Sequence, residues 1–127
     1  MTPDEFRSLA LSLPDTTEKA HMSHPDFRVA GKIFATLSGP DEERGMVKLT
    51  PEQQAAVLEA EPAVFTPASG AWGRQGCTML LLRAARKGSV WPALIAAWRN
   101  TAPVALVRRH QEEHPPPALG SSRPRRR

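Results

Sequence analysis

Ala30-Gly31 lies between two stretches that both read as extended chain, and this short segment limits the fold more than any other. Phe27-Arg28-Val29 before it is a short strand. Lys32 to Leu37 after it alternates: Ile33, Ala35 and Leu37 share one face, and Lys32, Phe34 and Thr36 the other. Glycine takes positive φ without steric cost, so Ala30-Gly31 suits the tight turn of a hairpin. Strands joined by so short a loop pair antiparallel. The chain must therefore build an antiparallel sheet and cover its apolar face with something else.

Helices are the candidates for that cover. Thr2-Pro3-Asp4-Glu5 carries an N-cap threonine, a proline suited to the first helical position and a glutamate that completes a capping box. Phe6, Leu9, Ala10 and Leu13 follow at helical spacing, and Leu13-Pro14 closes the segment. Thr50-Pro51-Glu52-Gln53 repeats the start signal and predicts a helix to about Ala60, ahead of Pro62. A long helix capped by Ser89 carries Trp91, Leu94, Ile95 and Trp98 on one stripe. Pro103 interrupts it, with a short helical turn through Val107.

The remaining segments read more weakly. Thr16 to Pro25 is a polar stretch, Ser38 to Gly45 an acidic loop, and Ser69 to Gly76 a glycine-rich loop around Trp72. Met46 to Leu49 and Val64 to Thr66 are short strands, and Cys77 to Arg83 is a central strand buried on both faces. The order helix, strands, helix, strands, helix predicts an α+β fold, an antiparallel β-sheet with helices packed on one face. Residues 1–110 form the domain. Residues 111–127, rich in proline and arginine, are expected to be a disordered basic tail.

Charge narrows the function only a little. The formal net charge is +4. Half of it belongs to residues 111–127, which carry four arginines against two glutamates. No apolar run is long enough for a signal peptide or a membrane span, and Cys77 has no second cysteine to bridge. A cytoplasmic protein with no membrane association is the expectation, with a monomer favoured.

Catalytic and metal chemistry find little support. His21 and His24 are three residues apart, but no Cys, Asp or Glu cluster stands at ligand spacing, and Asp26 would serve as a third ligand only by special geometry, short of what a zinc site needs. Cys77 opens a hydrophobic strand, where a thiol behaves as a core residue. Gly70, Gly73 and Gly76 precede a strand rather than the helix that a phosphate loop requires. The expectation is a protein with no cofactor, no metal and no enzymatic activity. Cations offer more. Arg28, Lys32, Arg44 and Lys48 flank the predicted hairpin and the next strand, and Arg74 stands near Trp72. A hairpin wing carrying such residues can touch nucleic-acid phosphates. Asp26, Asp41, Glu42 and Glu43 dilute that field in sequence.

Four blocks in order resemble the MmcQ/YjbR family of small bacterial proteins: HPDFRVAGKIFATL (24–37), KLTPEQQAAVL (48–58), FTPASGAWGRQGCTMLLL (65–82), and a closing helix with Trp98 followed by Ala102-Pro103. The resemblance covers about residues 3–110. It implies a CyaY-like arrangement, also described as a double-wing fold, and a DNA-binding label, with no catalytic motif. The matching positions include Phe27, Val29, Gly31, Lys32, Phe34, Ala35, Lys48, Trp72, Gly73 and Gly76. Most suit turns or packing, whereas Lys32 and Lys48 contribute little to a core. The expectation is DNA binding with weak sequence preference, through phosphate contacts from Arg28, Lys32, Lys48 and Arg74. The alternative is a small-molecule or protein-interaction module using an aromatic patch of Phe34 and Trp72.

Overall fold

The computed structural model describes residues 1–21 and 24–113. The chain runs α1 (Pro3–Leu11), β1 (Thr16–His21), β2 (His24–Val29), β3 (Lys32–Ser38), β4 (Arg44–Lys48), α2 (Pro51–Ala60), β5 (Phe65–Pro67), α3 (Gly70–Arg74), β6 (Cys77–Leu81), α4 (Lys87–Thr101) and α5 (Val104–Glu113). The six strands form one antiparallel sheet in the order β1-β2-β3-β4-β6-β5. The fold is α+β. Among the described residues no helix is long and apolar enough to cross a membrane.

The two capping boxes form as read: Thr2 with Glu5 at α1, and Thr50 with Gln53 at α2. Phe6 and Ala10 of α1 and Leu94, Ile95 and Trp98 of α4 are buried. They pack on the sheet face that carries Phe27, Ala35, Leu37, Val47 and Leu80. Gly45 belongs to this face, since a Cβ there would lie 3.0 Å from the Phe6 ring. Its missing side chain lets α1 sit close on the sheet. By register the opposite face carries Asp26, Thr36, Met46 and Met79 in one row across β2, β3, β4 and β6.

Several segments differ from their sequence-based reading. The polar stretch after Pro14 is the edge strand β1, and β2 begins at His24. Thr17 to Ala20 are all exposed, so β1 lacks the apolar alternation by which a strand is recognised. In β3 the alternation breaks. Phe27 pairs with Ala35 but Arg28 pairs with Ile33, so Phe34 is the extra residue of a β-bulge. Phe34 and Ala35 are both fully buried, instead of facing opposite ways. β6 lies second from the edge, between β4 and the three-residue β5. The loop around Trp72 contains α3. The α4 helix starts at Lys87, and the Ser89 hydroxyl, rather than capping it, donates to Glu61 at 2.6 Å. α5 extends to Glu113, past the boundary expected at His110; the rest of the expected tail, residues 114–127, lies outside the described residues.

Candidate functional site

The β2–β3 turn is built from Ala30 and Gly31, both at positive φ (53° and 77°). Two consecutive left-handed residues give the primed turn that matches strand twist. The turn carries Lys32 to one end of the sheet. β4 arrives at the same end, because Ala35 pairs with Val47 and Lys48 follows. β6 leaves from it, with Cys77 opposite Lys48. α3 enters β6 through Gln75-Gly76, which brings Trp72 and Arg74 there as well. Lys32 on β3, Lys48 on β4 and Arg74 on α3 thus all lie toward this end, Lys32 opposite Val29 and Lys48 opposite Cys77.

This end is locked by polar side chains. The Gln54 amide donates to the carbonyls of Gly73 and Cys77 and to the Thr78 hydroxyl, each at 3.1 Å. Thr78 in turn donates to the Gly76 carbonyl at 2.8 Å. The Asn100 amide donates to the Lys48 carbonyl at 3.0 Å and to Gln53 at 2.7 Å. A Cβ on Gly73 would overlap the Ala68 carbonyl oxygen, and one on Gly76 the Leu49 carbonyl oxygen. α2, α3, β4, β6 and the end of α4 therefore meet in one tied junction. Gln54 and Asn100 escaped the sequence reading. A capping-box pattern accounts for Gln53 but gives no reason to single out the next residue, and the reach from α4 to β4 crosses about half the chain.

The acidic run goes elsewhere. Pro40–Glu42 form a 3-10 turn between β3 and β4, at the far end of β3 from Lys32. At strand rise that separation is roughly 20 Å. Glu42 also accepts from Arg7 at 3.3 Å, in a cluster where Arg7 meets Asp4 at 2.7 Å and Glu18 at 3.0 Å. The acids close to the cationic end are Glu52, in the first turn of α2, and Asp15, just before β1. Among the described residues, Lys32, Lys48 and Arg74 form no ion pair.

Arg28 behaves differently from its expected role. It grips Asp26 on its own strand with two bonds, Nε at 2.8 Å and Nη2 at 3.1 Å. Asp26 is 1% exposed, so the guanidinium neutralises a buried carboxylate. The bond to Asp26 holds the Arg28 pKa above its ordinary value, against the smaller opposing pull of burial. Committed in this way, Arg28 is not a free phosphate contact. Phe34, fully buried at the bulge, can line no open patch, whereas Trp72 is 64% exposed. The two do not form one aromatic surface.

Other candidates fall out differently. Cys77 is buried, and burial pushes its thiol pKa up, opposed by the charge of Lys48. Among the described residues no three His, Cys, Asp or Glu side chains group as a metal site. The His21 side chain, half of the histidine pair, lies outside the described residues. Two concavities are lined mainly by other residues. One of about 570 Å³ is lined by Met1, Asp4, Ser8, Leu9, Arg86 and Lys87. The other, about 450 Å³, is lined by Arg44, Val64, Thr66, Met79 and Leu81 beside the short edge strand β5.

The YjbR family model matches residues 11–102, most of the chain. The chain belongs to the YjbR family. The YjbR domain is also similar in structure to the Deinococcus radiodurans protein DR2400, described by the domain family DUF419. The TM-score is 0.68 with 17% identity, over 88% of this chain and 86% of that one. Identity at that level speaks for the fold. No curated protein matches the chain. The segments around Gln54 and Trp72-Gly73, both within the matched residues, make up the tied junction. Leu49, Val57, Phe65, Cys77, Thr78, Leu80 and Leu82 of these segments are buried, and Lys32, Lys48, Trp72 and Arg74 are left exposed or half-exposed around it.

Proposed function

We propose that this YjbR domain binds nucleic acid, DNA in the first instance, through the sheet end formed by Lys32, Lys48 and Arg74. The role is binding without catalysis. What supports this reading is the separation of charge: Lys32, Lys48 and Arg74, which form no ion pair among the described residues, lie toward one end of the sheet and Asp41 to Glu43 toward the other. Cations held on a rigid frame bind phosphates and release counterions, with little dependence on base sequence.

The four tail arginines must be separated from this surface. In the full chain with Arg123, Arg125, Arg126 and Arg127 all changed to alanine, DNA binding should persist and weaken as salt rises. Adding Lys32→Ala, Lys48→Ala and Arg74→Ala should reduce affinity and flatten the log–log salt slope by about three units, one for each lost contact. Arg28 is left in place because its partner is Asp26. Fluorescence anisotropy across a salt series reads both effects. Loss of all binding with the tail arginines alone would remove the folded domain as the DNA-binding element.

A second reading has its own observation, the groove of about 450 Å³. Arg44 stands at its rim over Met79 and Leu81, a fit for a small amphipathic anion. Anilinonaphthalene sulfonate should bind there, and Arg44→Ala should weaken it about tenfold, the loss of one charged hydrogen bond. Equal affinity in the two proteins would discard this reading.

A further inference from the structure

We infer that the nucleic acid taken at this end is unpaired, with a base stacked on Trp72; the inference rests on the binding surface proposed above. Trp72 is 64% exposed, beside the exposed Arg74 on the same short helix. A solvent-facing indole needs a reason, because burying it would release a large apolar surface from water. Here the backbone that carries it is anchored. Gly73 is wedged against the Ala68 carbonyl, and its own carbonyl accepts from Gln54 at 3.1 Å. The Gln75 N–H, which follows α3, donates to Ala71 at 3.0 Å and Trp72 at 3.2 Å. The helix that carries Trp72 is thus tied to the junction through Gly73, and the exposed ring projects from a fixed backbone.

An exposed aromatic face at a sheet end that carries cations has the chemistry of a stacking platform for single strands. Cations follow the phosphates while the ring takes a base, with little sequence preference because every base has a π-face. A duplex hides those faces inside its own stack. Reaching one there would require wedging base steps apart, at a cost of a few kcal/mol. The same three cations would serve either form. Trp72 favours the unpaired one.

The experiment compares labelled 15-nucleotide oligo(dT) with a 15-base-pair duplex, on the full chain lacking the tail arginines. Oligo(dT) should bind more tightly. Trp72→Ala should weaken it roughly 5- to 100-fold, the loss of one stacked base, and leave duplex affinity unchanged. Trp72→Phe should keep most of the affinity but lose the quenching of indole fluorescence by oligo(dT). Unchanged thermal melting of both variants controls for folding. Equal effects of Trp72→Ala on the two probes, or none on either, would overturn the stacking inference, including in favour of a protein contact at Trp72. If binding still falls with Lys32→Ala, Lys48→Ala and Arg74→Ala, the cationic surface stands without it. If neither probe binds, the surface itself fails.

Discussion

Gly76→Ala is expected to remove about 3 kcal/mol or more of folding stability, a large part of what holds a domain of this size together. Gly76 has φ +113°, a backbone conformation that strains any residue with a Cβ. Space is also lacking. A Cβ there would overlap the Leu49 carbonyl oxygen and lie 2.8 Å from the Leu49 carbonyl carbon and 2.9 Å from that of Thr50. These are backbone atoms, so no side-chain rotation relieves the clash. The exit of β4 would have to move from the entry of β6. That would break the Leu49 N–H to Gly76 carbonyl bond of 3.3 Å and disturb the Gln54 ties. Urea unfolding should show a lower midpoint at an unchanged slope. Gly31→Ala is the control. It too has positive φ, +77°, but nothing lies within 4 Å of a Cβ there. It should cost only the left-handed strain, about 1–2 kcal/mol. Equal losses at the two glycines would mean that the junction yields instead of resisting.

That junction also shows where sequence reasoning reaches and where it stops. Local signals carried through. The Thr2 and Thr50 caps, the Ala30-Gly31 turn and the apolar stripes of α1 and α4 all stand as read, because each is decided within a few residues. β1 escaped notice because an edge strand exposed from Thr17 to Ala20 has no periodicity to display. The bulge at Phe34 escaped because one extra residue inverts the facing on one side of it, and alternation alone does not reveal an insertion. For Arg28 the signal was present. Residues two apart on a strand share a face, so Asp26 was its natural partner, although it first read as diluting the cationic field. The cationic end is different in kind. Lys32, Lys48 and Arg74 are separated by 16 and 26 positions, and only the strand order and register place them together.

Trp98→Ala should be comparably severe, costing about 3–5 kcal/mol, as large aromatic truncations in a packed core do. The Trp98 side chain is fully buried on α4. Its Nε1 donates to the Pro14 carbonyl at 3.0 Å, fixing the link between α1 and β1. Its ring lies 5.0 Å from that of His110 on α5, tilted at 58°. One side chain therefore joins α4, the α1–β1 connection and α5. Alanine would leave a cavity and take the donor from Pro14. Trp98→Phe would keep a ring near His110 but still lose the N–H, so it should fall between the wild type and alanine. The losses should also be uneven along the chain. α5 is short and leans on Trp98 through His110, so hydrogen exchange across Val104–Glu113 should accelerate more than in β3 or β4. Melting temperature gives the size of the effect, and exchange gives its location. A large loss of stability with α5 as protected as the sheet would mean that α5 is held by contacts other than Trp98.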